Sequence, residues 1–225
     1  MNSEKSEFYM LEICIIGSSE PMISMVLDNF ESKSCFPKIN ILNNLGRNID
    51  ISGFNNKFEI SIVEELRNHQ YSFPFVLGVN KPNNKLSIIR SLNLKKESFL
   101  NLIHNTSSIS STTNLSGGVV VNSLVSIAAN TSIHEFATIN RNVSIGHDTI
   151  IESYSTINPG ANIAGFVKIG MGTSIGMGTN IIDHITIGKN SIIGAGSLVT
   201  KDIPDGVIAY GNPCKIIRDN EIQFL

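Results

Sequence analysis

Residues 138–165 read TINRNVSIGHDTIIESYSTINPGANIAG, and within them Ile139, Ile145, Ile151, Ile157 and Ile163 recur every six residues. Extended in both directions, the register runs unbroken from Ile103 to Val199, 17 positions that are each Ile, Leu or Val. Two residues ahead of each, from Ser107 onward, stands Ser, Thr, Ala or Val, with Ile185 the one larger residue. A helix repeats near 3.6 residues and cannot carry this pattern. Six is a multiple of two, so the aliphatic residue and the small residue four places on share one side of an extended strand. Short strands bent every six residues aim every aliphatic side chain at a common axis. The expectation is a three-sided prism of about five complete coils, with roughly 18 residues to each coil. An ordinary β-sandwich would space its turns irregularly. Directly after the aliphatic residue come Gly146, Gly170, Gly176, Gly188 and Gly194, with Asn122, Asn140 and Asn158. These residue types tolerate tight turns and are the expected corners.

Charge is scarce along the repeat. Only Glu135, Arg141, Asp148, Glu152, Lys168, Asp183 and Lys189 are charged between 103 and 200. So much weakly polar wall on a monomer is a liability, and self-association is expected.

Residues 1–100 follow another logic and are expected to form a separate small α/β domain, with the repeat domain over 101–225. LEICIIGS (11–18) and KINIL (38–42) read as strands, as does FPFVLGVN (73–80). Pro21 to Phe30 reads as a helix, and NNKLSIIRSLNLKK (83–96) as another. SIVEEL (61–66), with Ser61 three residues ahead of Glu64, predicts a short capped helix. Alternating strands and helices imply a small Rossmann-like parallel sheet. Ligands of such sheets gather at the carboxyl ends of strands, here Gly17-Ser18-Ser19, Asn43-Asn44 and Gly78-Val79-Asn80. The G-S-S-E-P-M run at 17–22 lacks the three glycines of a dinucleotide fingerprint. Glu20 and Pro21 are poor neighbours for an anion, one by charge and the other by lacking an N–H. These residues leave nucleotide binding and a docking role equally open.

Seventeen basic against 19 acidic residues argue against a nucleic-acid partner. No apolar stretch is long enough for a membrane span, and MNSEKSEFYM at the start lacks a signal-peptide core. Cys14, Cys35 and Cys214 share no ligand spacing and read as reduced thiols, so a cytoplasmic protein is expected.

Five histidines are candidates for chemistry. His69 sits on a polar stretch and His104 at the domain junction, where solvated or structural roles suffice. His134, His147 and His184 are separated by 13 and 37 residues, not by multiples of a coil, so they do not stack and no metal is expected. His147 is followed by Asp148, and its slot on successive coils holds Gly165, Asp183 and Lys201. An imidazole titrates near working pH and suits a base at the end of a groove. On residues alone, a solvated corner histidine fits equally well.

The junction FLNLIHNTSSIS (99–110), the 138–165 stretch, IIGAGSLVTKDIPDG (192–206) and GNPCKII (211–217) together resemble a known family. It is the left-handed β-helix hexapeptide-repeat acyltransferases, and within them the sialic acid O-acetyltransferase and bacillosamine- or perosamine-type sugar N-acetyltransferase group. The resemblance covers nearly the whole chain. It implies a homotrimer with acetyl-CoA in the groove between neighbouring prisms. His147 matches the family's general base and Asp148 its acidic supporter. Gly165 matches a glycine whose N–H faces the thioester oxygen, and Asn140 an asparagine near the sugar. Thr156 stands where some members carry a second histidine that contacts the cofactor. Asp183, Lys201 and Lys215 fall where coenzyme A would run, the lysines facing its phosphates. Gly17, Ser18, Ser19, Asn43 and Asn44 occupy the positions of the family's sugar-nucleotide loops, without the usual G-x-S-G-H-G and paired aspartates.

The function this implies is N-acetylation of a nucleotide-linked amino-deoxy-sugar for a bacterial surface glycan such as the lipopolysaccharide O-antigen. O-acetylation of a sialic-acid-type sugar and a non-catalytic scaffold are the rival readings. An ice-binding prism would need a flat, regular threonine array, and the threonines here are scattered.

Overall fold

The computed structural model describes residues 12–43, 49–50, 53, 57–64 and 73–221. The first part comprises β1 (Glu12–Ile16), α1 (Glu20–Ser32), β2 (Lys38–Leu42), β3 (Ile60–Val63), β4 (Phe75–Leu77) and α2 (Pro82–Leu92). All four strands are parallel, in the order β3-β2-β1-β4. Successive side chains of β1 point to opposite faces of the sheet. Ile13 and Ile15 pack with Ile23, Val26 and Phe30 of α1, while Cys14 and Ile16 pack with Ile88 of α2.

Two local expectations are corrected. The helix predicted at SIVEEL is instead strand β3 at its start, paired along β2 from Ile39↔Ile60 to Leu42↔Val63. Ile60, Ile62 and Val63 are β-branched, and the open edge of β2 gives their backbone a ladder that a lone capping box does not outweigh. Residues 65 and 66 of that stretch, like His69, lie outside the described residues. Helix α2 stops at Leu92, short of the expected 96, because Asn93 turns left-handed at φ 46° and ends it.

From Leu102 the chain forms seventeen two-residue strands, β5 (Leu102–Ile103) through β21 (Leu198–Val199), one every six residues. They stack in parallel on three faces, giving between five and six coils of a left-handed parallel β-helix. The face containing β8 (Val120–Val121), β11 (Thr138–Ile139) and β14 (Thr156–Ile157) is called here the covered face. The second residue of each strand points inward, and these residues form one continuous core from Val121 to Val199. The small residues two places earlier are buried as well. Their hydroxyls donate to the backbone of the next coil: Thr131 to Gly146 O at 2.9 Å, Ser155 to Gly170 O at 2.9 Å and Thr173 to Gly188 O at 2.7 Å. The row is therefore polar as well as small, since each hydroxyl satisfies a carbonyl that would otherwise be buried unpaired.

The corners differ from expectation. Left-handed backbone falls three residues after the inward aliphatic, at Asn130, Asn142, Asp148, Gly160, Gly172 and Gly178 among others. Gly146 and its equivalents, one residue after the aliphatic, have no positive φ. Glycine is needed there for space: a Cβ on Gly146 would stand 2.5 Å from the carbonyl carbon of Ala164 on the next coil.

The α/β domain lies against the covered face. Leu102 and Val120 join the α1 core, and Phe136 packs edge-on to Phe99 with centroids 5.0 Å apart. A C-terminal hairpin of β22 (Val207–Tyr210) and β23 (Lys215–Asp219) extends the same face.

Candidate active site

His147 and Asp148 lie on the corner of the prism opposite the covered face, between β12 (Ser144–Ile145) and β13 (Ile150–Ile151). Asp148 takes the left-handed corner conformation at φ 55°, which a short polar side chain tolerates. That turn brings its carboxylate back onto the preceding residue, with Oδ2 2.8 Å from His147 Nδ1. Its other oxygen accepts from Asn130 Nδ2 at 3.2 Å. These two hydrogen bonds, the histidine's first, hold the Asp148 carboxyl below its ordinary pKa. Asp148 thus stays ionised and fixes Nδ1 as the protonated nitrogen, leaving Nε2 free to accept a proton.

One coil on, Gly165 vacates the space that the imidazole occupies. A Cβ there would sit 2.9 Å from both Nε2 and Cε1 of His147. Among the described residues the Gly165 N–H donates to no acceptor, while its carbonyl accepts from His184 N at 3.2 Å. A half-exposed base and an N–H without an acceptor among the described residues therefore lie side by side at this corner, the pair of groups that acyl transfer uses. Asp183 and Lys201 continue the same line, both exposed.

A second feature lies on the other side of the molecule. A cleft of about 500 Å³ opens at the carboxyl ends of β1 and β4, lined by Gly17, Ser18, Ser19, Gly78, Asn80, Lys81 and Asn84 among others. This is the switch point of the sheet, where connections leave neighbouring strands in opposite directions. Gly17, at φ 133°, packs so closely on β4 that a Cβ would lie 2.7 Å from Gly78 O. The Ser18 hydroxyl is buried and has no hydrogen-bond partner among the described residues.

The covered face of the prism holds the far wall of this cleft in place. Thr156 donates to Asn80 O at 2.6 Å, Asn140 donates to Asn80 Oδ1 at 3.4 Å, and Asn80 donates to Asn158 Oδ1 at 3.3 Å. Fully buried Lys85 reaches from α2 to Phe136 O, Thr138 Oγ1, Ser155 O and Thr156 Oγ1 at 2.8–3.2 Å. Burial lowers its pKa to about 7.

The expected residues therefore fall into two groups. His147, Asp148, Gly165, Asp183 and Lys201 share the far corner, while Gly17, Ser18 and Ser19 line the cleft. Asn140 is buried behind Asn80 and supports the cleft wall from within. Thr156 lies apart from both groups: its hydroxyl is sealed between Lys85 and the Asn80 carbonyl, at 3.0 and 2.6 Å. Asn43 follows β2 with its N–H bonded to Val63 O, and Asn44 lies outside the described residues. Lys215 opens β23, on a different sheet from the line that ends at Lys201. His104 is buried at the junction, with Nδ1 2.9 Å from Thr106 Oγ1. Among the described residues no group of three or more His, Cys, Asp or Glu side chains gathers as a metal site would, and no helix is long and apolar enough to cross a membrane.

Sequence reasoning missed Asn130, Lys85 and the cleft residues Lys81 and Asn84. Asn130 was findable, since it stands one coil before Asp148. Lys85 carried a signal too: with Ile88, Ile89 and Leu92 it completes the i, i+3, i+4, i+7 stripe of a buried helix face.

Residues 166–201 match the family profile of the bacterial transferase hexapeptide (six repeats). No curated protein sequence matches the chain at a significant level. Among solved structures, the chain is similar to a mutant perosamine N-acetyltransferase from Caulobacter crescentus in complex with CoA and GDP-perosamine. The TM-score is 0.78 at 24% identity, over 92% of this chain and 97% of that one. It is also similar to the acetyltransferase domain of PglB from Neisseria gonorrhoeae in complex with acetyl coenzyme A, at TM-score 0.80 and 23% identity, over 92% and 100% of the two chains. WeeI from Acinetobacter baumannii gives TM-score 0.72 at 20% identity, with 92% and 100% covered. Residues 166–201 thus carry the hexapeptide repeat, and the chain shares its two-part left-handed β-helix fold with the perosamine N-acetyltransferase and the PglB acetyltransferase domain.

Proposed function

We propose that this protein is an acetyl-CoA-dependent N-acetyltransferase acting on the amino group of a nucleotide-linked amino-deoxy-sugar. The observation that carries the reading is the His147–Asp148–Asn130 chain, with the His147 imidazole seated against Gly165. His147 Nε2 removes a proton from the amine as its nitrogen attacks the thioester carbonyl. Asp148 keeps the imidazole in the accepting tautomer and stabilises the imidazolium that forms. The Gly165 N–H stabilises the charge that develops on the carbonyl oxygen. When the C–S bond breaks, the imidazolium returns its proton to the departing thiolate, and His147 is reset.

The cleft at the sheet's switch point is the acceptor site in this reading. Ser19 and Asn84 line the cleft with polar side chains that can bond a polar ligand, and Lys81 offers a positive charge to phosphate. Two relatives with this fold were solved with CoA and GDP-perosamine and with acetyl coenzyme A, which favours the same pair of substrates here. The cleft and His147 lie on opposite sides of one prism, so a complete site requires a second copy of the chain. A homotrimer, with each cleft facing a neighbour's His147, meets that requirement. The reading further places the protein in the cytoplasm, in the biosynthesis of a bacterial surface glycan, with the acceptor-binding domain over residues 1–100 and the acyl-transfer domain over 101–225.

The test is release of coenzyme A thiol from acetyl-CoA across UDP-, GDP- and dTDP-linked 3- and 4-amino-deoxy-sugars, beside free and CMP-linked sialic acid. Turnover with an amino-sugar is the expected result. Turnover with the sialic acids alone would make the protein an O-acetyltransferase. Silence across the panel, with acetyl-CoA still bound, would point to an acceptor outside the panel or to a scaffold.

A further inference from the structure

Next to the His147 corner, two aromatic side chains occupy positions that sterics disfavour. Phe166 and His184 both have left-handed backbone, at φ 58° and φ 59°. Bulky residues with positive φ are outliers that persist where something else requires them. Along the next edge of the prism the equivalent positions are Leu124, Asn142, Gly160, Gly178 and Gly196, three of them glycine, so the fold itself does not demand a side chain there. Phe136 and Tyr154 share the same backbone strain on the third edge, but their rings stack at 5.3 Å beneath the α/β domain, and Phe136 is buried. Phe166 is 49% exposed, and the His184 side chain 68%; neither is explained by burial.

What Phe166 touches is the imidazole. Its ring meets that of His147 edge-to-face at 5.0 Å and an 88° interplanar angle. His184 stacks on Phe166 at 4.7 Å and 5°. The imidazole is therefore bounded by the Asp148 carboxylate at Nδ1, by the space at Gly165 along its Nε2 edge, and by the Phe166 ring beside it. A hydrogen bond at Nδ1 alone leaves the ring free to swing about that contact. An aromatic wall removes this freedom, and catalytic geometry is sensitive to displacements of about 1 Å.

We infer that Phe166 is a positioning residue for His147, braced from behind by the stacked ring of His184. The inference rests on the role proposed above for His147.

Substitution by glycine separates positioning from stability, because F166G removes the ring and relieves the strained φ. Nitrogen NMR of the histidine rings in the full-length protein reads the imidazole without turnover, with the His147 signals identified by their loss in H147A. In the wild type, a wide separation between the Nδ1 and Nε2 shifts is expected, the mark of one neutral tautomer. In F166G that separation should shrink while the melting temperature holds or rises. Unchanged His147 shifts in F166G would overturn the inference. With the acceptor that the wild type turns over, kcat of F166G should fall at least tenfold with both KM values within twofold. F166Y should recover most of the loss. A raised KM for acetyl-CoA at unchanged kcat would make Phe166 a binding wall and would also overturn the inference. An inactive wild type would count against the enzymatic reading instead, and the NMR result would stand independently of it.

Discussion

Lys85→Met tests how the two parts of the molecule are bolted together. The Lys85 side-chain nitrogen is fully buried, and its four oxygen partners all lie on the prism while its backbone belongs to α2. Methionine keeps most of the aliphatic stem and removes the head. Phe136 O and Thr138 Oγ1 then lose the one donor the described residues give them, whereas Ser155 O still accepts from Thr138 N. A buried polar group left unpaired costs about 1–3 kcal/mol, so the variant should be destabilised by roughly 2–5 kcal/mol at pH 8.5. The pH dependence is more diagnostic. The folded pKa is about 7 against 10.5 for the free side chain. Between these values the unfolded chain holds a proton that the folded one has shed, so stability rises with pH across that window. Linkage gives a gain of about 2 kcal/mol between pH 7 and 8.5 for this one group. Lys33, also lowered by burial, acts in the same direction in both proteins and cancels in the comparison. Urea unfolding at pH 7 and 8.5 should show the gain in the wild type and its absence in Lys85→Met. Parallel pH dependence in the two proteins, or a variant as stable as its parent, would refute this account.

Three further outcomes are expected. His147→Asn should lower kcat by about 10²–10⁴-fold with acetyl-CoA affinity and assembly intact, as removal of a general base does; retention of a third or more of wild-type turnover would rule the role out. Gly165→Ala places a methyl 2.9 Å from the imidazole Nε2, so turnover should fall by about 10–100-fold while urea unfolding changes little. Glu135→Gln addresses acid stability. Hydrogen bonds from Ser153 first, then its own backbone N–H and Lys96, hold the Glu135 carboxyl at about 2. Its contribution is complete above pH 4.5 and is lost as pH falls toward 2, amounting to about 1–3 kcal/mol after allowing for the exposure of Lys96. The difference in stability between Glu135→Gln and the wild type should therefore narrow between pH 5 and pH 3, and a constant difference would contradict the assignment.

The prism was legible because its core is written as a strict period: every sixth residue from Val121 to Val199 is buried, as the hexad predicts. The His147–Asp148–Gly165 grouping was legible for the same reason, since residues 18 apart stack and column arithmetic stands in for geometry. What the period does not encode is how the α/β domain sits on it. Thr156 reads as one more outward residue of a strand, and only docking of α2 buries it under Lys85. The strand at Ile60–Val63 was misread because a local capping pattern competed with an edge pairing that sequence alone does not display. The glycines after each aliphatic residue were correctly singled out but for the wrong physical reason. Their role is approach of the next coil, and the left-handed turn lies two residues further on.

The stacked coils also make the site a matter of indexing. Loss of one whole coil downstream of Gly165 would shorten the rod by a layer and leave every remaining column over its own partners. Loss of six residues between Asp148 and Gly165 would leave the core period equally intact, yet advance everything downstream by one face. Met171 would then arrive beneath His147 in place of Gly165, its side chain filling the slot. Two deletions that the core cannot tell apart would thus differ completely in what the corner can hold. The hexad sets what folds, and the triple hexad sets what can react.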